Sequence, residues 1–293
     1  MTVKTRRREA LAAMVFVAPF VIAYLVLFIY PTIKLIILSL TDGPLIGSGN
    51  WVGIANYIRL ANDRYFIQTV WQTGYFVVLT VVPTTAIALG IALMVLRLKG
   101  WLQSMILACF FLPFILPVTV VTQIWLWVLD KEFGVAQYVI EIFVGRRVPF
   151  FHEADWAMPM VAWVTIWWTN GFNVLLFIAG LRNIPQDYYD SAALDGAGRW
   201  RQFRHITWPL IWPVTALVLT IQMILQFKIF DQVYLLTGGG PFNITRVVLL
   251  YVYQQSFALN HGGYGAAISL FLFVMIVAFS VLQFQVLRIK APQ

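Results

Sequence analysis

The sequence predicts an all-α integral membrane protein with six transmembrane helices and a cytoplasmic loop between the fourth and fifth. Three observations predict it. Of 293 residues, 61% are hydrophobic and 11% charged, with a mean hydropathy of +0.81. A soluble domain is roughly 45–50% apolar and about 25% charged, so this chain cannot surround a core with a water-facing surface. Its charged residues delimit apolar stretches long enough to cross a hydrocarbon core of about 30 Å. Its lysines and arginines fall unevenly on the two sides of those stretches. The whole chain, 1–293, reads as a single transmembrane domain.

The spans follow from the charges that bound them. The first runs from Ala10 to Ile33, the second from Tyr65 to Leu96 and the third from Gly100 to Leu129. The fourth runs from Trp156 to Leu181 and the fifth from Ile206 to Phe227. The last apolar stretch, Val247 to Leu287, has a polar middle of Gln254, Gln255, Asn260, His261, Gly262 and Gly263. Its first part, Val247 to Phe257, gives roughly 16 Å of helix, too short to cross. It reads as a re-entrant or interfacial helix, and Tyr264 to Leu287 as the sixth span. Pro83 in the second span and Pro113 and Pro117 in the third predict kinks.

Basic residues set the orientation. Twelve lie on one side: Lys4, Arg6, Arg7, Arg8, Arg97, Lys99, Arg182, Arg199, Arg201, Arg204, Arg288 and Lys290. Six lie on the other, and Lys34 and Lys228 fall in or at the edge of spans. Of the acidic residues, seven are on the less basic side and four, including Glu9, on the more basic one. Both termini are therefore expected in the cytoplasm, in a multi-pass chain of a bacterial cytoplasmic (inner) membrane. The first apolar run exceeds a signal-peptide core of 7–15 residues and has no small-x-small site before Lys34, so an uncleaved first helix is expected.

The same composition narrows the chemistry. One cysteine, Cys109, gives no disulfide framework, and three scattered histidines give no metal site. There is no G-x-x-x-x-G-K-[ST] loop to cradle nucleotide phosphates. No catalytic residue and no resident cofactor are expected. The basic excess is an orientation signal rather than a nucleic-acid footprint. Ion pumping needs several titratable groups at depth, and only Lys228 and Asp231 come near.

The loop 182–208 carries the most information. Pro185 suits a first helical turn, and Asp187 places negative charge at the positive helix end. Gly196 can supply a turn that other residues resist. A second short helix carries Trp200, Phe203 and Ile206, and Pro209 marks re-entry into the membrane. Such a basic loop could lie on anionic lipid. The small residues Ala192, Ala193, Gly196 and Ala197 instead favour docking into a protein groove.

Asp190-Ser191-Ala192, Asp195-Gly196-Ala197, Phe203, Ile206 and Pro209 resemble the E-A-A-x-x-D-G-A and x-F-x-x-I-x-L-P motif of binding-protein-dependent ABC importer permeases. The departures are Asp190 for Glu, Ser191 for Ala and Trp208 for Leu. Phe230-Asp231, Tyr234 and Leu236 to Pro241 resemble the F-D-x-x-Y-x-L-T-x-G-G-P signature of MalF-type subunits of carbohydrate importers. Val52-Gly53, Asn56-Tyr57 and Tyr30-Pro31 match the same branch. The resemblance implies a MetI-like fold in which Asp190, Ser191, Ala192, Asp195, Gly196, Ala197 and Phe203 couple to an ATPase. It also implies a second, MalG-type permease, an ATPase dimer that holds ATP and Mg, an extracytoplasmic solute-binding protein and a sugar substrate.

Substrate-path candidates lie on the fourth and fifth spans. Trp167 and Trp168 offer faces for the C–H surface of a sugar, although tryptophans also anchor spans at interfaces. Asn170, Asn173, Gln222 and Gln226 offer amides for its hydroxyls. Counted from Pro209, Gln222 lies roughly 20 Å along the helix, Gln226 roughly 25 Å and Lys228 roughly 28 Å. Lys228 and Asp231, spaced i,i+3, are placed to pair on one helix face. Gly238, Gly239, Gly240 and Pro241 break the fifth helix near the outside. With the short helix that follows, segment 238–264, they are expected to border an outer gate and the surface for the binding protein. The sugar itself is open: mono-, di- and oligosaccharides, polyols and anionic derivatives all fit. The alternative reading is a stand-alone secondary transporter or channel for a small polar solute.

Overall fold

The computed structural model describes residues 3–288, with side chains described for 13–143 and 145–286. Lys4, Arg6, Arg7, Arg8, Glu9, Arg288 and Lys290, which enter the charge asymmetry, have their side chains outside that set. Among the described residues there are helices and turns, one isolated bridge between Thr41 and Trp51, and no strand. Five helices are long and apolar enough to cross a membrane, and a bent pair supplies the sixth candidate. The chain forms two compact units, Met1–Asp63 with Val252–Phe271 and Arg64–Tyr251 with Leu272–Gln293.

In the first unit, α1 (Val3–Tyr24) passes through a π-turn, Leu25–Ile29, into α2 (Tyr30–Ser39). The wide turn accommodates Pro31, which lacks the N–H that an ordinary turn would use. None of the most apolar stretch of this span is buried, which hydrocarbon tolerates because lipid tails are as apolar as leucine. Beyond it, α3 (Ala55–Asn62) is fastened by Asn56, whose buried amide donates to Ser39 O at 2.9 Å and Thr41 O at 2.7 Å. Tyr264, near the start of α14 (Gly262–Arg288), donates to Asp63 at 2.6 Å and lies under the Arg59 guanidinium. Gly263 has no side chain because the Thr41 carbonyl occupies the space.

The second unit is built on α4 (Arg64–Val95), α8 (Ala154–Arg182) and α11 (Trp208–Phe227). Ala88, Leu89, Ala92 and Val95 of α4 pack with Val174, Phe177, Ile178 and Leu181 of α8 and with Ile211 and Val218 of α11. These positions recur at three and four residues, the spacing of one helix face. Small residues let the backbones approach. A Cβ at Gly180 would come within 2.7 Å of Ile211 and Val214, and one at Gly171 would strike the Phe110 carbonyl of α5 (Trp101–Ile115).

The third span differs from expectation. Instead of a kinked crossing, α5 and α6 (Val118–Val128) meet at a bend of 103°. Pro117 excludes the helical conformation from the residue before it, and Leu116 is extended at φ −69°, ψ 139°. The 15 residues of α5 reach about 22 Å, short of a 30 Å core. The break leaves the Leu116 carbonyl without a helical donor, and Trp168 Nε1 supplies one at 3.1 Å. Pro83, by contrast, lies within an α4 that continues past it.

Beyond α6, the helix α7 (Val135–Val144) is held by Gln137, which donates to Leu129 O and Val148 O and accepts from Val148 N. Arg146–Glu153 and Arg147–Glu141 pairs follow at 3.0 and 3.1 Å. The hydrogen bond that Arg147 donates to Glu141 holds its guanidinium above its ordinary pKa.

Trp168→Phe keeps the ring but removes the donor. It should destabilise the protein by about 1–3 kcal/mol, the cost of leaving the half-buried Leu116 carbonyl unsatisfied. The check is the unfolding midpoint in detergent, and an unchanged midpoint would show that Leu116 O has another donor.

Candidate functional site

The loop after α8 folds as a helical hairpin. Pro185 precedes α9 (Gln186–Leu194), Asp187 lies in its first turn, and Gln186 donates to Asp190 at 3.1 Å. At its end Ala197 N donates to Ala192 O at 2.8 Å and Gly196 N to Ala193 O at 3.0 Å. This is the Schellman closure, and it requires a left-handed residue at Gly196, whose φ is +73°. The Asp195-Gly196-Ala197 sequence is thus the stop signal of α9.

The returning arm is longer than expected. α10 (Arg199–Gln202), a π-turn Phe203–Thr207 and α11 form one continuous helix of 29 residues. Pro209 does not end it, because the π-turn widens the helix where the proline N–H is missing. Trp200, Phe203, Trp208 and Trp212 form a row of ring contacts, stacked, tilted and edge-on in turn, with centroids 5.6, 6.3 and 5.6 Å apart. Tyr189 joins the two arms: its hydroxyl lies 3.0 Å from Thr207 Oγ1, and its carbonyl accepts from Gln202.

Asp190, Ser191, Asp195 and Gly196 are exposed, and Ala192, Ala197 and Phe203 are half-buried. Beside them Leu194 is 90% exposed and Trp200 72% exposed. Leu194 and Tyr189 belong to this hairpin and escape motif reading. Leu194 looks from the sequence like an ordinary helix former, and the partner of Tyr189 is 18 residues away.

The substrate-path candidates separate into two kinds. Asn173, Gln222 and Gln226 are buried and bonded to one another: Gln222 donates to Asn173 at 2.9 Å, and Gln226 to Gln222 at 2.9 Å. Asn170 is also buried, with no hydrogen-bond partner for its Oδ1 among the described residues. Trp168 is half-buried and holds Leu116, whereas Trp167 is partly exposed and packs edge-on against Trp125 at 5.4 Å. Lys228 is exposed. It does not share a helix face with Asp231, because α11 ends at Phe227 and α12 (Asp231–Leu236) begins after the non-helical Phe230. Among the described residues the two form no ion pair.

The fifth helix therefore ends well before the glycines. Gly238 and Gly239 have φ of +60° and +94°, and Gly240–Pro241 is cis. Thr237 and Thr245 hydroxyls meet at 2.8 Å, and Thr245 donates to Gly240 O at 2.7 Å, tying the loop off beneath an exposed Phe242. Arg246 lies over the rings of Tyr65 and Tyr251. The expected short helix follows as α13 (Val248–Tyr253) and a π-turn, Gln254–Ala258. Thr73 of α4 accepts the Val248 N–H at 2.9 Å.

The chain is similar in sequence and in fold to known proteins. The chain is 29% identical over 287 residues to the sulfoquinovosyl glycerol transport system permease protein SmoG of Agrobacterium fabrum, covering 96% of this chain and 92% of that one. It is 30% identical over 292 residues to the trehalose/maltose transport system permease protein MalF of Thermococcus litoralis, covering 99% and 98%. Its fold matches a bacterial ABC transporter involved in import of the acidic polysaccharide alginate, with a TM-score of 0.86 at 22% identity over 97% of each chain. The model of the binding-protein-dependent transport system inner membrane component matches residues 85–290. From its apolar spans to the hairpin between α8 and α11, this chain belongs to that family of transport permeases.

Proposed function

We propose that the chain is one permease half of an ATP-driven importer for a sugar or sugar derivative, coupled to its ATPase through the 185–209 hairpin. The observation that carries the reading is the hairpin itself: a helix closed by Gly196 presents Asp190, Ser191 and Leu194 outward on a rigid, Tyr189-braced support. The substrate class follows from the transport systems named for two similar permeases, one for trehalose and maltose and one for sulfoquinovosyl glycerol. A MalG-type permease, an ATPase dimer carrying ATP and Mg, and an extracytoplasmic binding protein complete the assembly. Both termini and the hairpin face the cytoplasm of the inner membrane, following the basic residues.

The geometry gives a route for coupling. Gly180 lets α8 and α11 touch near the hairpin, and the Asn173–Gln222 bond joins them again farther along. Held at two levels, the helices pass a displacement of the hairpin along their length as one body. In the substrate path, Asn173, Gln222 and Gln226 are the bracing layer, and Trp167 and Lys228 have surface to offer a solute. The knotted Gly238–Pro241 loop, with Phe242 88% exposed, forms the outer gate and the contact for the binding protein.

Gly196→Pro fixes φ near −65° and should lower ATP-dependent uptake in vesicles at least about tenfold. Gly196→Asn tolerates the left-handed conformation and should keep most of it, with both variants inserted at normal amounts. Uptake by the chain alone, driven by an ion gradient, would establish the secondary-transporter alternative. Leu194→Asp, at a fully solvated position, should leave insertion intact and reduce copurification of the ATPase. Gln222→Leu should lower stability by about 1–3 kcal/mol through the orphaned Asn173 acceptor, while the KM for solute-loaded binding protein stays unchanged.

A further inference from the structure

The ends of α4 and α8 and the α9–α10 hairpin enclose a groove of about 1040 Å³. The buried Leu181 and the half-buried Leu96 and Phe203 give it an apolar wall, and Arg97, Arg182 and Arg199 stand exposed along it. Among the described residues no carboxylate lines it. The ion pairs among the described residues are Arg146–Glu153 and Arg147–Glu141, so the three guanidiniums have no anionic partner among the described residues. Arg182 is the last residue of α8, and Arg97 comes two residues after the end of α4. The cations therefore sit where the apolar spans stop, at the level of lipid head groups. Gln186, the first residue of the nine-residue α9, also lines the groove and brings the positive helix end toward it.

We propose that this groove binds the phosphodiester head group of an anionic phospholipid from the cytoplasmic leaflet. One acyl chain lies along Leu96, Leu181 and Phe203, and the guanidiniums hold the phosphate oxygens, which their planar forks fit. Basic pockets between helices on the cytoplasmic side favour such head groups. A bound lipid fills the space between the hairpin and the spans and fixes the hairpin against them. The assignment rests on the cytoplasmic placement of the hairpin proposed above.

The test uses the assembled transporter, both permeases with the ATPase subunits. It is exchanged through bilayers of phosphatidylglycerol and phosphatidylcholine, released into detergent and weighed by native mass spectrometry. Wild type should retain phosphatidylglycerol over phosphatidylcholine. Arg97→Gln/Arg182→Gln should retain about ten- to thirty-fold less phosphatidylglycerol, following about 1 kcal/mol for each cation near the surface. Lys99→Gln, on the same side but not lining the groove, should match wild type. Unchanged retention in the double variant, or equal retention of the two lipids by wild type, would overturn the proposal. Displacement of the lipid by millimolar glycerol 3-phosphate would assign the groove to soluble phosphates and overturn the lipid source. Loss of the ATPase subunits from the double variant would make the groove a protein interface and overturn it too. Sidedness is read separately with Ser191→Cys in a Cys109→Ser background and a membrane-impermeant maleimide. Labelling from the outer face would overturn the sidedness reading, whereas retention measured in detergent does not depend on it.

Discussion

A backbone polar group in hydrocarbon has no water to bond, so the protein must supply every partner, and the rest of this structure depends on how that demand is met. The long helices meet it internally. Where they break, side chains take over: Trp168 donates to the freed Leu116 carbonyl, and Thr73 accepts the first N–H of α13. The glycine loop after α12 is closed by the hydroxyls of Thr237 and Thr245. Prolines at 31 and 209 follow π-turns, which place a widened turn where a donor is missing. Two of the breaks are thus closed by a side chain on another helix, and the glycine loop by its own threonines.

Burial of apolar surface offers little force between helices in lipid, so close approach and buried amides hold the bundle. Gly171 brings α5 against α8, and Gly180 brings α8 against α11. The Asn173–Gln222–Gln226 chain then bonds α8 to α11 in the interior. These contacts make a rigid frame directly behind the hairpin, which itself carries exposed residues on a closed, braced turn. Rigidity behind and exposure in front are what a segment that receives a mechanical displacement needs.

Three sets of arginines meet different partners. Arg146 and Arg147 are paired with carboxylates and fasten the segment after α7. Arg246 packs over two tyrosines and holds the turn that follows the glycines. Arg97, Arg182 and Arg199 line a groove with no carboxylate among its described lining residues, and the proposed anionic lipid head group gives them a counter-charge.

The sequence by itself determined what is local. Apolar length and bounding charges located the spans, the polar stretch at 254–263 separated the short helix from the last span, and the spacing from Asp190 to Ala197 located the closed turn at Gly196. Tertiary structure alone decided how the elements meet. Pro113 and Pro117 announced a distortion, but a bend of 103° stands because Trp168, 52 residues away, satisfies the carbonyl it exposes. Gln222 and Asn173 read as free amides until the packing of α8 on α11 brought them together. Lys228 and Asp231 read as one helix face until the helix ended between them. The three groove arginines lie far apart in the chain and converge only through the hairpin. In lipid both sides of a helix are apolar, so periodicity does not tell which face meets which neighbour, and partner choice is decided only when the backbones pack.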